Sequence, residues 1–134
     1  MIEDYFYVIV AGSRTFEDYD LLFDKLNLML RNYGNNVFIV SGGARGADTL
    51  AIRYAKAKGF PYKEFPADWK RYGKSAGYIR NSEMHKFISD KPNRGVVLFW
   101  DGKSKGTKQN IPLAEKYNNP CVVVNISRRE DGEA

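Results

Sequence analysis

The sequence predicts a single α/β domain with a mostly parallel, five-stranded sheet and helices on both faces. Three observations support this fold class. Five short apolar segments rich in Val and Ile recur along the chain, and helix-type patterns separate them. The segments lack the polar alternation of a half-exposed strand, which is typical of strands covered on both faces. Strict alternation of strand and helix gives a doubly wound sheet with right-handed crossovers.

The apolar runs place the strands, and the third is the weakest of them. The predicted strands cover residues 5–11, 37–41, 62–67, 95–100 and 121–126. Cys121, the only cysteine, opens the last strand. A thiol in an apolar strand pattern is expected to be buried and structural rather than nucleophilic.

Four helices are predicted between these strands. Asp18 can cap the first, and the second follows a glycine-rich loop. The third is expected over residues 75–88, with a buried side formed by Ile79, Met84, Phe87 and Ile88. The fourth, near residues 107–118, contains Pro112. A proline there either delays the helix start to about Asn110 or bends the helix.

The length of 134 residues suits one domain. We expect the domain to cover residues 1–126 and a polar, frayed tail to cover 127–134. No apolar run approaches the roughly 20 residues that span a bilayer, and the acidic N-terminus does not resemble a signal peptide. A cytoplasmic location without disulfides is therefore expected. The net charge of +5 suits an anionic ligand, although many basic proteins bind none.

The connections fall into two kinds. Helix-to-strand turns contain mainly Gly, Asn and Pro, whereas the strand-to-helix loops gather glycines, hydroxyls and cations. These loops cover residues 12–16, 42–48, 67–81 and 101–107. Because all strand-to-helix loops of a parallel sheet emerge at its carboxyl edge, the four are expected to converge there. Their composition predicts a site for an anion.

The loop SGGARGAD, residues 41–48, is the strongest part of this prediction. Its glycines allow a close backbone approach, and the following helix directs its first N–H groups to the same point. Arg14 and Arg45 can add bidentate hydrogen bonds. The alternative is a tight turn that binds no ligand. A second loop of similar composition, DGKSKGT, makes this alternative less favoured. Neither loop has the Walker A or GxGxxG pattern, which argues against a standard P-loop NTPase or dinucleotide dehydrogenase.

Four stretches together resemble a known family: VIVAGSRTF, VSGGARGADTLA, FPADWKRYGKSAGYIRN and WDGKSKGT. They are similar, in this order and over about residues 6–125, to the YspA/YpsA-related branch of the SLOG superfamily. The resemblance implies a Rossmann-like fold and a nucleotide-derived ligand, such as a mononucleotide or an ADP-ribose-like or NAD-like molecule. It implies a pocket lined by Gly12, Ser13, Arg14, Gly42, Gly43, Gly46, Asp48, Arg80, Asn81, Ser104, Gly106 and Thr107.

Four further residues join this set, and alternatives exist for two of them and for Asp48. Ala44 and Arg45 belong to the glycine loop. Trp69 can stack on a base or pack as a lid on the sheet. Asp68 can contact a ribose or face solvent in a turn. Asp48 can contact ribose or act as a base, but capping its helix or holding Arg45 is the favoured interpretation.

Three functions remain open on these grounds. The first is binding of a nucleotide-derived ligand as a sensor or binding domain. The second is hydrolysis of N-glycosidic or phosphoribosyl bonds, as in the related Lonely Guy phosphoribohydrolases, with Asp48 and Asp68 as catalytic candidates. The third is binding of single-stranded nucleic acid, as in DNA-processing protein A, whose loop is closer to this one.

No cofactor, metal or membrane contact is expected. His85, the only histidine, is predicted to be a partly exposed helix residue, and a metal site needs several ligands. An exposed sheet edge or apolar helix face leaves a homo-oligomer open.

Overall fold

A computed structural model describes residues 4–126 of the protein. These residues form five strands and six helices, together with short 3₁₀ turns at Arg31–Tyr33 and Gly73–Ser75. In chain order the elements are β1 (Phe6–Gly12), α1 (Tyr19–Leu30), β2 (Val37–Ser41), α2 (Ala47–Lys58), β3 (Tyr62–Glu64), α3 (Trp69–Tyr72), α4 (Ala76–Ile88), β4 (Arg94–Trp100), α5 (Lys105–Lys108), α6 (Asn110–Lys116) and β5 (Cys121–Asn125). The expected tail, 127–134, lies outside the described residues.

The five strands form one parallel sheet in the order β3-β2-β1-β4-β5. The chain winds from β1 through β2 to β3, and then returns to the other side of β1 with β4 and β5. The winding direction therefore reverses between β1 and β4, where Gly12 lies in register with Phe99. The predicted doubly wound fold is confirmed, and its topological switch point lies at the carboxyl ends of these two strands.

Two apolar clusters lie on the two faces of the sheet. On one face, Leu22 and Leu26 of α1 and Tyr54 of α2 pack against the sheet. On the other, Met84 and Ile88 of α4 pack against it. All five side chains are at most 1% exposed, and each contributes about 1.5–3 kcal/mol by leaving water. These clusters fix the helices that border the carboxyl edge.

The edge strands are more exposed than the sequence predicted. Strand β3 ends at Glu64, three residues earlier than expected, and its residues are all exposed. In β5, Val122 is 50% exposed and Val123 is 43% exposed, and Cys121 is only half-buried. The prediction of strands covered on both faces holds for β1, β2 and β4. It fails at the two ends of the sheet, where each strand has a neighbour on one side alone.

Helix boundaries follow their predicted signals. Asp18 caps α1, since its carboxylate accepts a hydrogen bond from the Leu21 amide at 3.0 Å. Pro112 is the third residue of α6, which begins at Asn110. A proline in the first turn loses no helical hydrogen bond. Neither alternative holds alone, because α6 begins at Asn110 as in the delayed start but α5 precedes it, and the helical segment is interrupted at Gln109 between the two. No helix within residues 4–126 has the length and apolar character needed to cross a membrane.

His85 corrects a second prediction, because it is buried with 0% exposure rather than partly exposed. Its Nε2 lies 3.0 Å from the Asn110 side-chain oxygen, and its Nδ1 lies 3.2 Å from the Asn119 amide nitrogen. The Asn119 oxygen accepts a hydrogen bond from Arg94 Nε at 2.7 Å, which orients the amide. His85 Nδ1 is then an acceptor and Nε2 carries the proton. The network joins α4 to α6 and β4.

The imidazole of His85 is expected to stay neutral, with its proton on Nε2, at pH values below 6.5, the ordinary pKa of histidine. Burial lowers the pKa of His85 because the charged form is poorly solvated. Long-range ¹H–¹⁵N NMR spectra from about pH 5 to 8 report this directly, since the chain has one histidine. The urea-unfolded protein, titrating near 6.5, is the control. Titration of the folded protein at the same pH would contradict the buried network.

Candidate functional site

Two neighbouring cavities open at the carboxyl edge of the sheet. The first, here called the β1–β4 cavity, has a volume of about 360 Å³ and lies at the switch point. The second, the β2–β3 cavity, has a volume of about 450 Å³ and lies between the loops after β2 and β3. They share Arg14, Ala44, Trp69 and Arg80. Loops that are distant in sequence are thus brought together.

Most of the predicted site residues line these cavities. The β1–β4 cavity has Gly12, Asp48, Asn81, Ser104, Gly106 and Thr107 in its wall, besides the four shared residues. The β2–β3 cavity adds Gly42, Gly43 and Arg45. Three predicted residues, Ser13, Gly46 and Asp68, lie in neither wall.

These three residues have structural contacts instead. The Ser13 hydroxyl accepts a hydrogen bond from the Asp101 amide at 3.1 Å, and its carbonyl accepts one from the Ala47 amide at 3.3 Å. Ser13 therefore ties together the loops after β1, β2 and β4. Asp68 is exposed and caps α3 by accepting from the Arg71 amide at 3.1 Å. Gly46 is the residue that precedes α2, and its backbone packs on the Ser13 loop.

The glycine loop holds itself together through its own amides. The Gly43 amide donates to the Ser41 hydroxyl at 3.2 Å, and the Ala44 amide donates to the Asp48 carboxylate at 3.2 Å. The Ala47 amide is also used, by the Ser13 carbonyl. These N–H groups were expected to face a ligand, but they already have partners. These three amides are therefore not available to a ligand, and the side chains beside the loop supply charged donors to the cavities.

Arg80 is the central cation of the site and is only 7% exposed. Its Nη1 donates to the Gly42 carbonyl at 2.5 Å, and its Nε donates to the Asn81 side-chain oxygen at 2.9 Å. Within residues 4–126 its Nη2 makes no hydrogen bond. That nitrogen lies beside Gly77 and Trp69, which both line the β1–β4 cavity. Nη2 is not among the buried side-chain atoms of residues 4–126 that lack a partner, so solvent reaches it from the cavity and it can donate to an anion there.

Asn81 connects α4 to the loop after β4. Its amide nitrogen donates to the Gly106 carbonyl at 3.3 Å and to the Gln109 side-chain oxygen at 2.9 Å. In the same loop, the hydroxyls of Ser104 and Thr107 lie 3.0 Å apart. The β1–β4 cavity therefore has a pair of hydroxyls in one wall and the Arg80 guanidinium in another.

Asp48 is a buried carboxylate, 5% exposed, in the wall of the β1–β4 cavity. Burial raises its pKa from 3.8 to about 6, against the opposing effects of Arg80 and the Ala44 amide. The favoured prediction for Asp48 was wrong, because it neither caps α2 nor pairs with Arg45. The helix begins after Gly46 without a side-chain cap, and the carboxylate holds the loop by accepting from Ala44.

Gly42 allows Arg80 and Asp48 to approach the loop together. A Cβ atom on Gly42 would lie 2.6 Å from Arg80 Nη1 and 2.8 Å from Asp48 Oδ2. Any side chain there would displace one of the two charged groups. The glycine is thus required by the close approach of a buried cation and a buried carboxyl.

An exposed aromatic rim borders the cavities. Trp69 is 51% exposed, and the Arg14 guanidinium lies 6.0 Å from its ring centroid. Tyr78, 46% exposed, and Lys74 line the β1–β4 cavity with them. Trp69 therefore stands at the mouth of both cavities and is not packed as a buried lid. Such a combination of flat rings and cations suits a planar, negatively charged ligand.

The structure adds residues that the sequence did not indicate. In the β1–β4 cavity these are Ala11, Lys74, Gly77, Tyr78 and Asn110, and in the β2–β3 cavity they are Glu64, Pro66 and Ala67. Glu64 could have been identified as a site residue from its position, because it ends a strand at the same edge as the glycine loop. Within residues 4–126, no three side chains of His, Cys, Asp or Glu are grouped as they would be around a metal ion.

The sheet order and the cleft at its switch point define the molecule as a Rossmann-like α/β domain with a polar cleft lined by cations. The sequence model of the YspA, cpYpsA-related SLOG family matches residues 6–72. The chain belongs to this family, which confirms the resemblance; the matched residues include the first two of the four motifs and the start of the third.

Two relatives illustrate the range of similarity. The Gene 61 protein of Mycobacterium phage D29 is 34% identical over 120 residues, which cover 86% of this chain and 93% of the phage protein. The crystal structure of DNA processing protein A (DprA) from Streptococcus pneumoniae superimposes with a TM-score of 0.61 at 19% identity, over 92% of this chain. This chain spans 51% of that protein. The similarity to DprA is therefore a similarity of fold.

Proposed function

We propose that the protein binds a nucleotide or nucleotide-derived phosphate ligand at the carboxyl edge of the sheet, as a sensor or binding domain. The ligand class is a mononucleotide or an ADP-ribose-like or NAD-like molecule. The observation that carries this proposal is the buried Arg80 guanidinium, whose Nη2 is unpartnered beside the β1–β4 cavity. Membership of the SLOG family supports a nucleotide-related ligand.

The residues that line the two cavities suggest how such a ligand would lie. Its phosphate would accept hydrogen bonds from Arg80 Nη2 and from the hydroxyls of Ser104 and Thr107. Arg14 would add a second, exposed cation, and Trp69 would stack on the base. The two cavities have the volumes usual for small-molecule sites. In this arrangement side chains replace the loop amides as the main phosphate ligands.

Replacing Arg80 by Gln is expected to weaken nucleotide binding by about ten- to a hundredfold, because a charge-assisted hydrogen bond contributes about 1.5–3 kcal/mol. Isothermal titration calorimetry with ADP-ribose, NAD, AMP and GTP measures this. Arg31→Gln, which removes an exposed cation in the turn after α1, is the matched control and should bind normally.

Arg80 also holds the Gly42 carbonyl, so the variant needs a folding check by circular dichroism and thermal melting. Arg14→Gln removes an exposed cation from the same cavities and is expected to fold normally while binding more weakly. If none of the four ligands raises the melting temperature of the wild type at millimolar concentration, the proposal is wrong.

The buried carboxyl of Asp48 favours a second candidate, hydrolysis of an N-glycosidic or phosphoribosyl bond. A group with a pKa of about 6 in the wall of the cavity is suited to proton transfer near neutral pH. Chromatography of nucleotides after prolonged incubation tests this activity. An unchanged nucleotide pool with wild-type protein would remove it.

The exposed rim favours a third candidate, single-stranded nucleic acid. Trp69, Tyr72 and Tyr78 are exposed near Arg71 and Lys74, and the solved relative is named as a DNA processing protein. Stacking on such rings contributes about 1–3 kcal/mol per base. Oligonucleotide binding that weakens steeply with salt would support this function, and no binding at low salt would dismiss it.

A further inference from the structure

The β2–β3 cavity contains one carboxylate among three cations. Arg14, Arg45 and Arg80 line this cavity, and Glu64 enters it from the end of β3. The Glu64 carboxylate packs directly on Gly43, so closely that a Cβ atom on that glycine would overlap with it. Gly43 has a φ of +72°, which also favours glycine. The carboxylate of Glu64 thus lies against the glycine loop, although the residue as a whole is exposed.

This carboxylate has unused hydrogen-bonding capacity. Within residues 4–126 its oxygens accept no hydrogen bond and form no ion pair within 4.0 Å, in spite of the three arginines around the cavity. An ionised carboxylate is an acceptor alone, so its natural partners are hydroxyl or amino groups. It would repel a phosphate placed beside it. The two cavities therefore differ in their carboxylates: Asp48 in the β1–β4 cavity is buried and accepts from the Ala44 amide, whereas Glu64 in the β2–β3 cavity is free to accept from a ligand.

We propose that Glu64 determines ligand specificity by accepting hydrogen bonds from the 2′ and 3′ hydroxyls of a ribose in the β2–β3 cavity. This inference rests on the proposed function and narrows it to nucleotides with a free ribose diol. Deoxyribose and a 2′-phosphorylated ribose would be disfavoured, the first because it lacks a donor and the second because it brings negative charge.

The walls that the two cavities share indicate that the hydroxyl groups bound by Glu64 belong to a ribose rather than to another donor. Because Arg14, Ala44, Trp69 and Arg80 border both cavities, the groups that fill them must be close together in one ligand. In a nucleotide, the ribose is the group bonded directly to the phosphate. A phosphate held by Arg80 would therefore place its own sugar within reach of the neighbouring cavity.

Calorimetry with matched ligands tests the proposal. The pairs are AMP against 2′-deoxy-AMP, GMP against 2′-deoxy-GMP, and NAD against NADP, each titrated into wild type and Glu64→Gln. Wild type is expected to prefer the free diol by about tenfold, the usual effect of one hydrogen bond to a charged group. Glu64→Gln is expected to bind NADP nearly as well as NAD, since the repulsion has been removed.

Glu115→Gln, which changes an exposed carboxylate on α6, is the control and should keep the wild-type preference. Glu64 is exposed, so its variant should also keep the wild-type melting temperature. Equal binding of both members of every pair by wild type, or an unchanged preference in Glu64→Gln, overturns the role of Glu64 alone. Failure of wild type to bind any of these ligands overturns the proposed function and this inference together.

Discussion

Replacing Gly46 by Ala is expected to cost about 3–5 kcal/mol of folding free energy and to separate the first two strand-to-helix loops. Gly46 has φ +81° and ψ −131°, a conformation essentially confined to glycine. A Cβ atom there would overlap with the Ser13 carbonyl and would stand 2.6 Å from Arg14 Cα. Both neighbours are backbone, so they cannot swing aside as a flexible side chain can.

Urea denaturation of Gly46→Ala beside Gly34→Ala measures the effect. Gly34 has a similar conformation, with φ 57° and ψ −125°, but a Cβ atom on it would have no atom within 4 Å. The control variant therefore carries the backbone strain alone, about 1–3 kcal/mol. Equal losses of stability in the two variants would show that the contact between the loops is not tight. A larger loss at Gly46 supports the geometry on which the cleft depends.

The sequence was sufficient for the fold because each element has a local cause. An apolar Val-rich and Ile-rich run gives the buried strands β1, β2 and β4, and the Asp18 cap fixes the start of α1. Parallel order then brings the strand-to-helix loops to one edge without further information. The edge strands β3 and β5 were less well predicted, because exposure depends on what covers them.

Helix α4 has buried polar residues that its apolar periodicity does not indicate. Its buried side includes the polar residues Arg80, Asn81 and His85, whose partners outside the helix lie 25 to 38 positions away in the chain. Buried polar groups are tolerated when such partners are present. An apolar pattern cannot reveal them, so His85 was wrongly expected to be partly exposed, and Arg80 was assigned to the pocket by the family resemblance and not by the pattern.

Within the site, the convergence of the loops could be predicted from the topology, but the roles of the individual backbone and side-chain groups could not. The loops were expected to converge, and their residues do line adjoining cavities. Gly43 and Ala44 were expected to offer amides to a ligand, but Ser41 and Asp48 occupy those amides. Glu64 was missed because the predicted third strand ran to residue 67, which hid the end of β3.

Replacing Asp48 by Asn is expected to stabilise the protein by about 2–3 kcal/mol at pH 7 to 8, even though Asp48 lies in the candidate site. Burial raises the pKa of Asp48 from 3.8 to about 6, so the folded protein binds the proton more tightly than the unfolded chain. The stabilising contribution of the protonated form is complete below pH 3.8 and is lost as the pH rises through about 6. Asn retains a side-chain oxygen for the Ala44 amide and carries no charge at any pH.

Urea denaturation of both proteins between about pH 4 and 8 tests the sign, with the difference expected to vanish at the acidic end. Asp101→Asn is a control of opposite sign. The amides of Lys103 and Ser104 lower the pKa of Asp101, so its stabilising contribution is present above the ordinary pKa and is lost as the pH falls. A neutral-pH loss of stability in Asp48→Asn would contradict the buried charge. A stabilised variant that also loses nucleotide binding would show that the carboxylate is kept for the ligand, at a cost to the fold.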